Sequence, residues 1–472
     1  MTEPEPTTAA GAAQLLGAGA ASSAELTAGF LRRIERLNPL LNAVIATAPG
    51  ALADAAASDD RRRSGTPRSP LDGIPVLIKD NIEALGLPGS AGSRALLGSP
   101  PVVDAALVAR LRAAGLVVLG AANLSEWANF RSMASTSGWS AVGGQARNPH
   151  DPDRNTSGSS SGSASAVAAG LAPFTVGTET DGSIVSPAGV CGVVGFKPTV
   201  GTVPGAGVVP VSPVQDTAGP MARTVADATA LYRVLAGVTA PLPPVDLAGL
   251  RVASWRQPGL PAEVAAMVAE VERLLGAAGA VVVPAAPYPS DEPASPFEGA
   301  ELEAMVAEFS VALPAYLAAR PGAHPRTWPE LLAFNRADEI ELSKFSDEVF
   351  QRCAEAFEAG GTATDAYRTA RAACDADAAR GLAAVLGDCA FAISPSNGPA
   401  WPIQYGVSEN DGVLTSSLCA ITGSPSITLP AGSAGGLPLG ISLLGRRGSD
   451  LELLGYAAAV ERLLPQPKMP VL

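Results

Sequence analysis

A helical pattern that breaks at a glycine and runs directly into a short apolar segment occurs twice in this sequence. The first begins at Asp104, breaks at Gly115 and continues as the apolar run 116–119. The second spans 264–283, with its break at Gly279. A helix followed at once by a buried strand is the unit from which layered α/β domains are built. The sequence therefore predicts an α/β fold, a single large α/β/α sandwich whose mixed central sheet is covered by helices on both faces.

Other short apolar runs supply the remaining strands that we predict. They lie at 76–78, 251–254, 391–394, 426–429 and 439–443. An N-terminal helix is predicted to begin after Ser22, because Ser22 and Glu25 have the spacing of a capping box. We expect this helix to end at Pro39, since a proline removes a backbone hydrogen bond from the helix interior.

The character of the sequence changes between about residue 296 and residue 386. Helical patterns rich in alanine, glutamate and arginine dominate there, and strand patterns are few. We predict that 296–386 is a helical insertion covering the substrate side of the sheet, connected through the proline-rich segments 241–244 and 284–296. At 472 residues, the whole chain 1–472 is long enough to form one large domain around a sizeable core.

The charge balance argues against several classes of partner. The formal net charge is −13 at pH 7, whereas nucleic-acid binding requires clustered lysine and arginine. The one basic run, Arg61–Arg63, is interpreted as a solvated loop. We find no apolar stretch near the roughly 20 residues of a membrane span, and the acidic start Met1–Pro6 does not resemble a signal peptide. We therefore expect a cytoplasmic protein with no nucleic acid and no membrane as partner.

Histidine and cysteine are too few and too scattered to build the common catalytic and metal sites. The five cysteines show no CxxC spacing, and we interpret them as reduced thiols packed in the core. The two histidines, His150 and His324, lie in turn-rich segments and are predicted to be exposed. A Ser-His-Asp triad is therefore disfavoured, and we expect neither a metal ion nor another cofactor.

Three residues form a candidate catalytic set, although each has a simpler explanation. Lys79 follows an apolar strand candidate and fits a surface lysine; Ser159 fits a flexible linker; Ser183 fits a plain Asp-Gly turn. Against the linker, the glycine- and serine-rich run leads directly into a helix-forming segment, where a turn presents backbone N–H groups. A lysine acts as a base when burial lowers its pKa. With the serines 24 residues apart, the set suggests serine hydrolysis with lysine as the base.

Four linked motifs resemble those of the amidase signature family, in that family's order and at its serine-to-serine spacing. They are Gly73-Ile-Pro-Val-Leu-Ile-Lys-Asp-Asn81, Ser157-Gly-Ser-Ser-Ser-Gly-Ser-Ala164, Gly177-Thr-Glu-Thr-Asp-Gly-Ser-Ile184 and Gly192-Val-Val-Gly-Phe-Lys-Pro-Thr199. The likeness continues through 115–126 and, more loosely, through 425–445. It implies that 60–235 is a signature core that carries the catalytic residues.

The resemblance implies a role for each candidate residue. Ser183 would be the nucleophile, Ser159 the bridging serine and Lys79 the base, with a cis peptide bond between Gly158 and Ser159. The oxyanion hole would consist of consecutive backbone N–H groups, those of Thr180, Asp181, Gly182 and Ser183. The implied reaction is hydrolysis of a carboxamide through an acyl-enzyme intermediate, without a cofactor.

Two departures from the family pattern narrow the range of substrates that we expect. Asp181 and Val185 stand where the family commonly has glycine and arginine, and losing the arginine removes an anchor for a substrate carboxylate. This disfavours small acidic amides. The segments 123–130 and 143–149 are similar to the peptide amidase branch, whose members remove the C-terminal amide from peptides.

Three residues are candidates for substrate binding: Trp127, Ser157 and Trp401. Core packing is the alternative for both tryptophans. The leading hypothesis is hydrolysis of a small-molecule or peptide amide substrate. One alternative is the A subunit of a transfer-RNA-dependent amidotransferase, which requires partner subunits; another is a non-catalytic binding protein on the same scaffold. The sequence leaves the oligomeric state open, with a homodimer as one option.

Overall fold

Strands from both halves of the chain meet in one sheet. The computed structural model describes residues 7–286, 299–409, 413 and 415–472; eleven strands in these ranges form a single sheet and two short ones form a hairpin. In chain order the strands are β1 Val44–Thr47, β2 Pro75–Lys79, β3 Val117–Ala122, β4 Trp139–Ser140, β5 Gly144–Gln145, β6 Phe174–Glu179, β7 Val194–Lys197, β8 Thr217–Ala222, β9 Arg251–Ser254, β10 Val281–Pro284, β11 Phe391–Pro395, β12 Ser426–Ala434 and β13 Leu437–Leu444.

The sheet is mixed, as predicted. Its strand order is β1-β3-β2-β6-β8-β7-β12-β13-β11-β9-β10. β2 runs parallel to β3 and β6, and β9 runs parallel to β10 and β11, whereas the other neighbours are antiparallel. The N-terminal and C-terminal halves join where β7 pairs with β12, with Lys197 opposite Ser426. One sheet therefore contains strands from both halves of the chain.

Fourteen α-helices lie in the described ranges, together with three short 3-10 helices at Arg94–Leu96, Glu126–Asn129 and Gly361–Ala363. In chain order the α-helices are α1 Ala9–Gly17, α2 Ser23–Leu41, α3 Ala51–Arg63, α4 Ala106–Ala113, α5 Ser161–Ala168, α6 Val185–Cys191, α7 Val225–Ala236, α8 Ala262–Ala277, α9 Ala300–Ala319, α10 Trp328–Ala337, α11 Glu348–Glu358, α12 Asp365–Leu386, α13 Ser417–Ile421 and α14 Asp450–Glu461.

Helices cover both faces of the sheet, because apolar side chains point to both sides of its strands. On β2, Val76 and Ile78 belong to the large core formed with α4, α7, α8 and α14, whereas Leu77 packs with α2 and α5 on the opposite side. On β11, Ile393 belongs to the same large core, whereas Ala392 packs on the opposite side in a cluster with α12. Strands that are apolar on both faces are buried on both faces. The predicted α/β/α sandwich is confirmed.

The start of α2 follows from its cap. The Glu25 N–H donates to Ser22 Oγ at 3.1 Å, and the Ser22 N–H donates to Glu25 Oε2 at 2.8 Å, so the predicted capping box is present. The predicted end at Pro39 is wrong, since α2 continues to Leu41 and holds the proline in its last turn. The proline ring fixes φ at about −65°, which is a helical value, so the last turn can include Pro39 at the loss of one backbone hydrogen bond.

From Ala300 to Leu386 the described chain is helical, and α9 packs against α11 and α12. α9 is 20 residues long and apolar enough to cross a membrane by length and composition, with 56% of its most apolar window buried inside the protein. The expectation that no stretch reaches this length is therefore wrong. Since α9 packs its apolar side chains into a cluster with α10 and α11, the apolar composition has an explanation in core packing.

The assignments of 60–235 as a core and 296–386 as an insertion stay predictions. The predicted connector 241–244 lies in the described chain before β9 and contains no helix or strand. Of the predicted connector 284–296, residues 287–296 lie outside the described residues.

The basic run Arg61–Arg63 is not a solvated loop, which corrects the sequence expectation. These residues form the last turn of α3, where positive charge is favourable at a helix C-terminus. The Arg61 guanidinium pairs at 2.6 Å with the carboxylate of Asp72, whose side chain is fully buried. The run therefore helps to hold the segment that leads into β2.

The predicted burial is right for the cysteines and wrong for the histidines. The five cysteines are all buried and form no disulfide in the described chain, which confirms their assignment to the core. His150 and His324 are half-buried rather than exposed, and each ring lies within hydrogen-bond distance of a backbone carbonyl oxygen, at 3.1 Å and 2.9 Å. These bonds hold both rings in local turns.

Candidate active site

The candidate site lies at the carboxyl ends of two parallel strands. Lys79 is the last residue of β2, and Thr178 lies at the end of β6, its parallel neighbour. In open α/β sheets, such strand ends form the crevice where ligands bind. The pairing of β2 with β6 therefore brings together two motifs that are far apart in the sequence.

The Lys79 ammonium group is surrounded by oxygen atoms and has no contact with solvent. Its Nζ atom lies 2.7 Å from Ser159 Oγ, 2.9 Å from Thr178 Oγ1 and 3.2 Å from the Thr178 carbonyl oxygen. Burial lowers the pKa of Lys79 from its ordinary 10.5 to about 7, although the carboxylates of Glu179 and Asp216 oppose this shift. The amine is therefore neutral in a large fraction of molecules at neutral pH, and a neutral amine can accept a proton.

Ser159 lies in the turn that precedes α5, and its side chain is fully buried. The peptide bond between Gly158 and Ser159 is cis. The turn is packed closely against its neighbours, because a Cβ atom on Gly158 would overlap the side chain of Ser125. The Ser125 N–H also donates to the Ser159 carbonyl at 3.1 Å, which fixes the backbone beside Lys79.

Ser183 follows a tight turn between β6 and α6. Gly182 has a φ of 75°, a left-handed conformation that glycine adopts without steric cost. Glu179 Oε2 accepts the N–H groups of Ile184 and Val185 at 2.7 Å and 3.0 Å, so a side chain at the end of β6 holds the start of α6. The Ser160 N–H donates to the Ser183 carbonyl at 3.1 Å and joins the two serine-bearing turns.

The backbone of this turn offers donors that the fold does not use. Among the described residues, none accepts a hydrogen bond from the N–H groups of 180–183. Gly182 and Ser183 are buried and Thr180 and Asp181 are half-buried, and buried backbone N–H groups without a protein acceptor are unusual. These are the positions that the family resemblance assigned to an oxyanion hole.

A cavity of about 200 Å³ opens in front of Ser183. Ser183 lies on its wall with 8% of its surface exposed, whereas Lys79 and Ser159 are fully buried behind it. The wall is formed mainly by small, hydroxyl-bearing and apolar side chains: Ala128, Asn129, Phe130, Ser132, Met133, Ser135, Ser137, Ser157, Gly158, Thr180, Asp181, Gly182, Ser183, Ser186, Val211, Met305, Val349, Ser396, Trp401, Ser408, Glu409, Val413, Thr415 and Ser416.

The candidate substrate-binding residues divide between wall and core. Ser157 and Trp401 lie on the cavity wall, and Ser157 Oγ is 2.8 Å from Ser186 Oγ. Trp127 does not line this cavity: its ring is buried and makes an edge contact with Phe350 at 5.8 Å between centroids. Trp127 therefore lies in the core rather than on the wall of this cavity, which its neighbours 128–130 line instead, and its role in substrate contact stays a prediction.

Asp181 and Val185, the two departures from the family pattern, have different surroundings. The Asp181 carboxylate accepts the Ser417 hydroxyl at 2.6 Å, and burial raises the pKa of this carboxyl while the hydroxyls of Ser416 and Ser417 oppose the shift. Val185 is buried in the first turn of α6. Only Asp181 therefore lies on the cavity wall.

Several wall residues had no signal in the sequence. Met305, Glu409 and Ser416 come from three separate segments, and only the fold brings them to one cavity. Asn129, also on the wall, lies in the segment 123–130 that resembles the peptide amidase branch, and its φ of 69° is left-handed. In the described chain, no group of three or more histidine, cysteine or acidic side chains has the geometry to hold a metal ion.

A family model and several known proteins are similar to this chain along most of its length. The model described as Amidase matches residues 25–454. A protein described as a probable amidase of Arabidopsis thaliana is 36% identical over 470 residues, which cover 93% of this chain and 86% of that protein. The A subunit of the glutamyl-tRNA(Gln) amidotransferase of Chloroflexus aggregans is 34% identical over 493 residues, covering 98% of this chain and 97% of the subunit.

Among solved structures, the native peptide amidase of Stenotrophomonas maltophilia superposes with a TM-score of 0.90 at 40% sequence identity. The match covers 99% of both chains. A peptide amidase in complex with the competitive inhibitor chymostatin has the same TM-score of 0.90 at 41% identity and the same coverage.

Proposed function

The chain belongs to the amidase family and is an amide hydrolase; we propose that it removes the amide group from peptide C-termini and similar carboxamides through Ser183, Ser159 and Lys79. The observation that carries this proposal is the contact of 2.7 Å between Lys79 Nζ and Ser159 Oγ, buried behind a serine that opens on a cavity. A buried amine paired with a hydroxyl is the arrangement that a proton relay requires.

The first chemical step forms the acyl-enzyme. Ser183 Oγ attacks the carbonyl carbon of the substrate amide and forms the new C–O bond, while its proton passes to Ser159 Oγ. Ser159 gives its own proton to the neutral Lys79 amine, whose pKa burial lowers to about 7. The relay therefore ends with a protonated Lys79 and a tetrahedral intermediate on Ser183.

The negative charge of that intermediate develops on the former carbonyl oxygen. The N–H groups of 180–183 support its stabilisation, since no described residue accepts hydrogen bonds from them. As the C–N bond breaks, Lys79 returns its proton through Ser159 to the leaving nitrogen. Ammonia or an amine departs, and the acyl group stays on Ser183 as an ester.

Water completes the cycle by the same relay. It attacks the ester carbonyl while a proton passes through Ser159 to Lys79, and the proton then returns to Ser183 as the acid product leaves. The net reaction consumes one water molecule and converts the amide to a carboxylic acid and ammonia or an amine.

The preference for peptide-like amides rests on the cavity and on the relatives. The wall combines backbone and hydroxyl groups with apolar side chains such as Met305, Val349 and Trp401, a composition suited to a peptide chain end. Two similar structures are those of peptide amidases, matched over 99% of this chain.

The full-length similarity to amidotransferase A subunits favours a second candidate. In that case the acyl-enzyme chemistry would release ammonia from an amide for use by a partner protein. The two candidates differ in what the isolated chain can do, because a peptide amidase needs no partner.

A panel of amides separates the candidates. The purified chain is incubated with N-acetyl dipeptide amides, aryl amides, short aliphatic amides and glutamine, and ammonia or amine and the acid product are quantified. We expect the dipeptide amides to give the highest kcat/KM and the Ser183→Ala variant to release no product, while a matched surface variant, Ser64→Ala, keeps full activity. Activity on glutamine alone, or on none of the amides, would contradict the proposal.

A further inference from the structure

The wall of the cavity carries no positive charge. Among the described residues that line it there is no lysine, arginine or histidine, and two carboxylates are present, those of Asp181 and Glu409. The sequence outside the described ranges, at 1–6, 287–298, 410–412 and 414, contains no lysine, arginine or histidine either. The described part of the wall is therefore polar mainly through hydroxyl and backbone groups, and the ionisable side chains among these lining residues are acidic.

Glu409 is held in the wall by two N–H donors. The Asn155 side-chain amide donates to Oε1 at 2.8 Å, and the Ser137 backbone N–H donates to Oε2 at 3.1 Å. Asn155 in turn donates its backbone N–H to the Trp401 carbonyl at 2.7 Å and accepts the Ser157 N–H at 2.7 Å. The carboxylate is thus built into the same part of the wall as Ser157 and Trp401.

Three cations near the site have other contacts or roles. Arg131, just after the cavity-lining loop 128–130, is fully buried and pairs with Glu126 at 2.7 Å and with Glu341 at 3.0 Å. Lys79 is the proposed base and acts in its neutral form. Lys197 is fully buried, donates to the Pro198 carbonyl at 3.2 Å and does not line the cavity.

These observations predict how the charge of a substrate changes its affinity for the cavity. A carboxylate that enters a partly desolvated cavity loses hydration, and only a nearby cation or several hydrogen-bond donors can offset that loss. Here it meets a second carboxylate instead, and like charges repel more strongly in a medium of low dielectric constant than in water. A neutral side chain meets no such penalty, and a cationic one is attracted.

Resting on the proposed function, we propose that this cavity selects amides by charge: it accepts neutral and cationic acyl groups, excludes those that carry a carboxylate, and Glu409 is a residue that sets this preference. The described residues of the wall include no cation, and the first turn of α6 behind Ser183 carries Val185 rather than an arginine. The same property favours release of the product, because hydrolysis converts a neutral amide into a carboxylate inside the cavity.

Substrates that differ only in charge test this proposal. We would measure kcat/KM for the α-amides of N-acetylglutamine and N-acetylglutamate, which are nearly isosteric, and for the N-acetylnorleucine and N-acetyllysine α-amides, separating the products by chromatography. The expected result is at least a tenfold preference for the glutamine over the glutamate compound, about 1.4 kcal/mol. The lysine compound should be cleaved at least as well as the norleucine compound.

Variants assign the effect to Glu409. In Glu409→Gln the preference for glutamine over glutamate should fall at least threefold, whereas Glu452→Gln, a change at an exposed position outside the cavity, should leave it unaltered. Equal kcat/KM for the two compounds in the wild type would overturn the charge selection, and that result does not depend on the variant folding. An unchanged preference in folded Glu409→Gln would overturn the role of Glu409. Failure to cleave any amide would instead contradict the proposed function.

Discussion

At the residue scale, the site depends on the protonation state of one buried amine. Lys79 lies at the end of β2 with no solvent contact, and its three neighbouring oxygen atoms belong to a serine and a threonine rather than to a carboxylate. A buried ammonium without an adjacent counter-charge is unstable relative to the neutral amine, which explains the direction of its pKa shift. The carboxylates of Glu179 and Asp216 weaken this effect without reversing it.

This protonation state predicts a pH dependence. Because the relay needs the neutral amine, kcat/KM should rise with pH about tenfold per unit below pH 7, pass half its maximum near the Lys79 pKa of about 7, and level off above it. The measurement is initial-rate kinetics on one N-acetyl dipeptide amide in buffers of constant ionic strength. A wild-type profile that is flat from about pH 5.5 to about pH 8.5 would contradict the role of Lys79.

The identities of the site residues were predictable from the sequence to different degrees. Lys79, Ser159 and Ser183 stand in motifs whose order and spacing resemble a family, so local sequence was enough to select them. Whether Trp127 lies on the wall or in the core could not be decided from its segment, because its ring packs against Phe350, more than 200 residues away in the sequence. Which side chains line a cavity is decided by such distant contacts.

At the element scale, a buried ion cluster ties the loop that lines the cavity to the helical region. Arg131 follows the 3-10 helix Glu126–Asn129 and pairs with Glu126 and with Glu341, which lies between α10 and α11. All three side chains are fully buried, and the guanidinium also lies over the Phe345 ring at 4.3 Å from its centroid. Burial raises the pKa of Glu126, and the Arg131 charge opposes this.

Removing this cation should destabilise the fold. Arg131→Gln leaves two buried carboxyl groups without their counter-charge, and we expect a loss of about 3–5 kcal/mol in the free energy of unfolding. The matched control is Arg273→Gln, whose ion pair with Glu270 is exposed and screened by solvent, so its loss should leave the transition temperature almost unchanged. Thermal unfolding followed by circular dichroism compares them, and equal transition temperatures for the two variants would refute the argument.

Elements with regular hydrophobic patterns were predictable, and the strands around the nucleophile were not. The predicted strands at 76–78, 251–254, 391–394, 426–429 and 439–443 all exist, several of them longer than expected. Strands β1, β4, β5, β6, β7 and β8 were missed. β8 contains alanine, glycine and proline and no branched apolar residue, so its sequence contains little strand signal, and pairing with neighbours on both sides makes it a strand. β6 does carry strand formers, Phe174, Thr175, Val176 and Thr178, but it lies among glycine-rich motifs, which are typical of turns.

At the scale of the whole molecule, one sheet connects the proposed relay with the cavity wall. The strands that carry Lys79 and the Ser183 turn come from the N-terminal half, whereas α9, α11 and described residues between Ser396 and Ser416 supply the opposing wall. The alternation of helix and strand patterns along the sequence predicted the α/β/α sandwich. It could not predict the cavity, since contacts such as the one between Asp181 and Ser417 join residues that are 236 positions apart.

The central claim is that Ser183 is a nucleophile activated by Lys79 through Ser159. A fluorophosphonate probe tests it directly, because such probes form a stable adduct only with an activated serine. The labelled protein is weighed intact and then mapped by peptide mass spectrometry, in the wild type and in the Ser183→Ala, Lys79→Ala and Lys468→Ala variants; Lys468 is exposed and serves as the matched lysine control.

We predict a single adduct on Ser183 in the wild type, none in Ser183→Ala, labelling at least about 100-fold slower in Lys79→Ala, and an unchanged rate in Lys468→Ala. An adduct on another serine of the cavity, or undiminished labelling in the Lys79→Ala variant, would contradict the account.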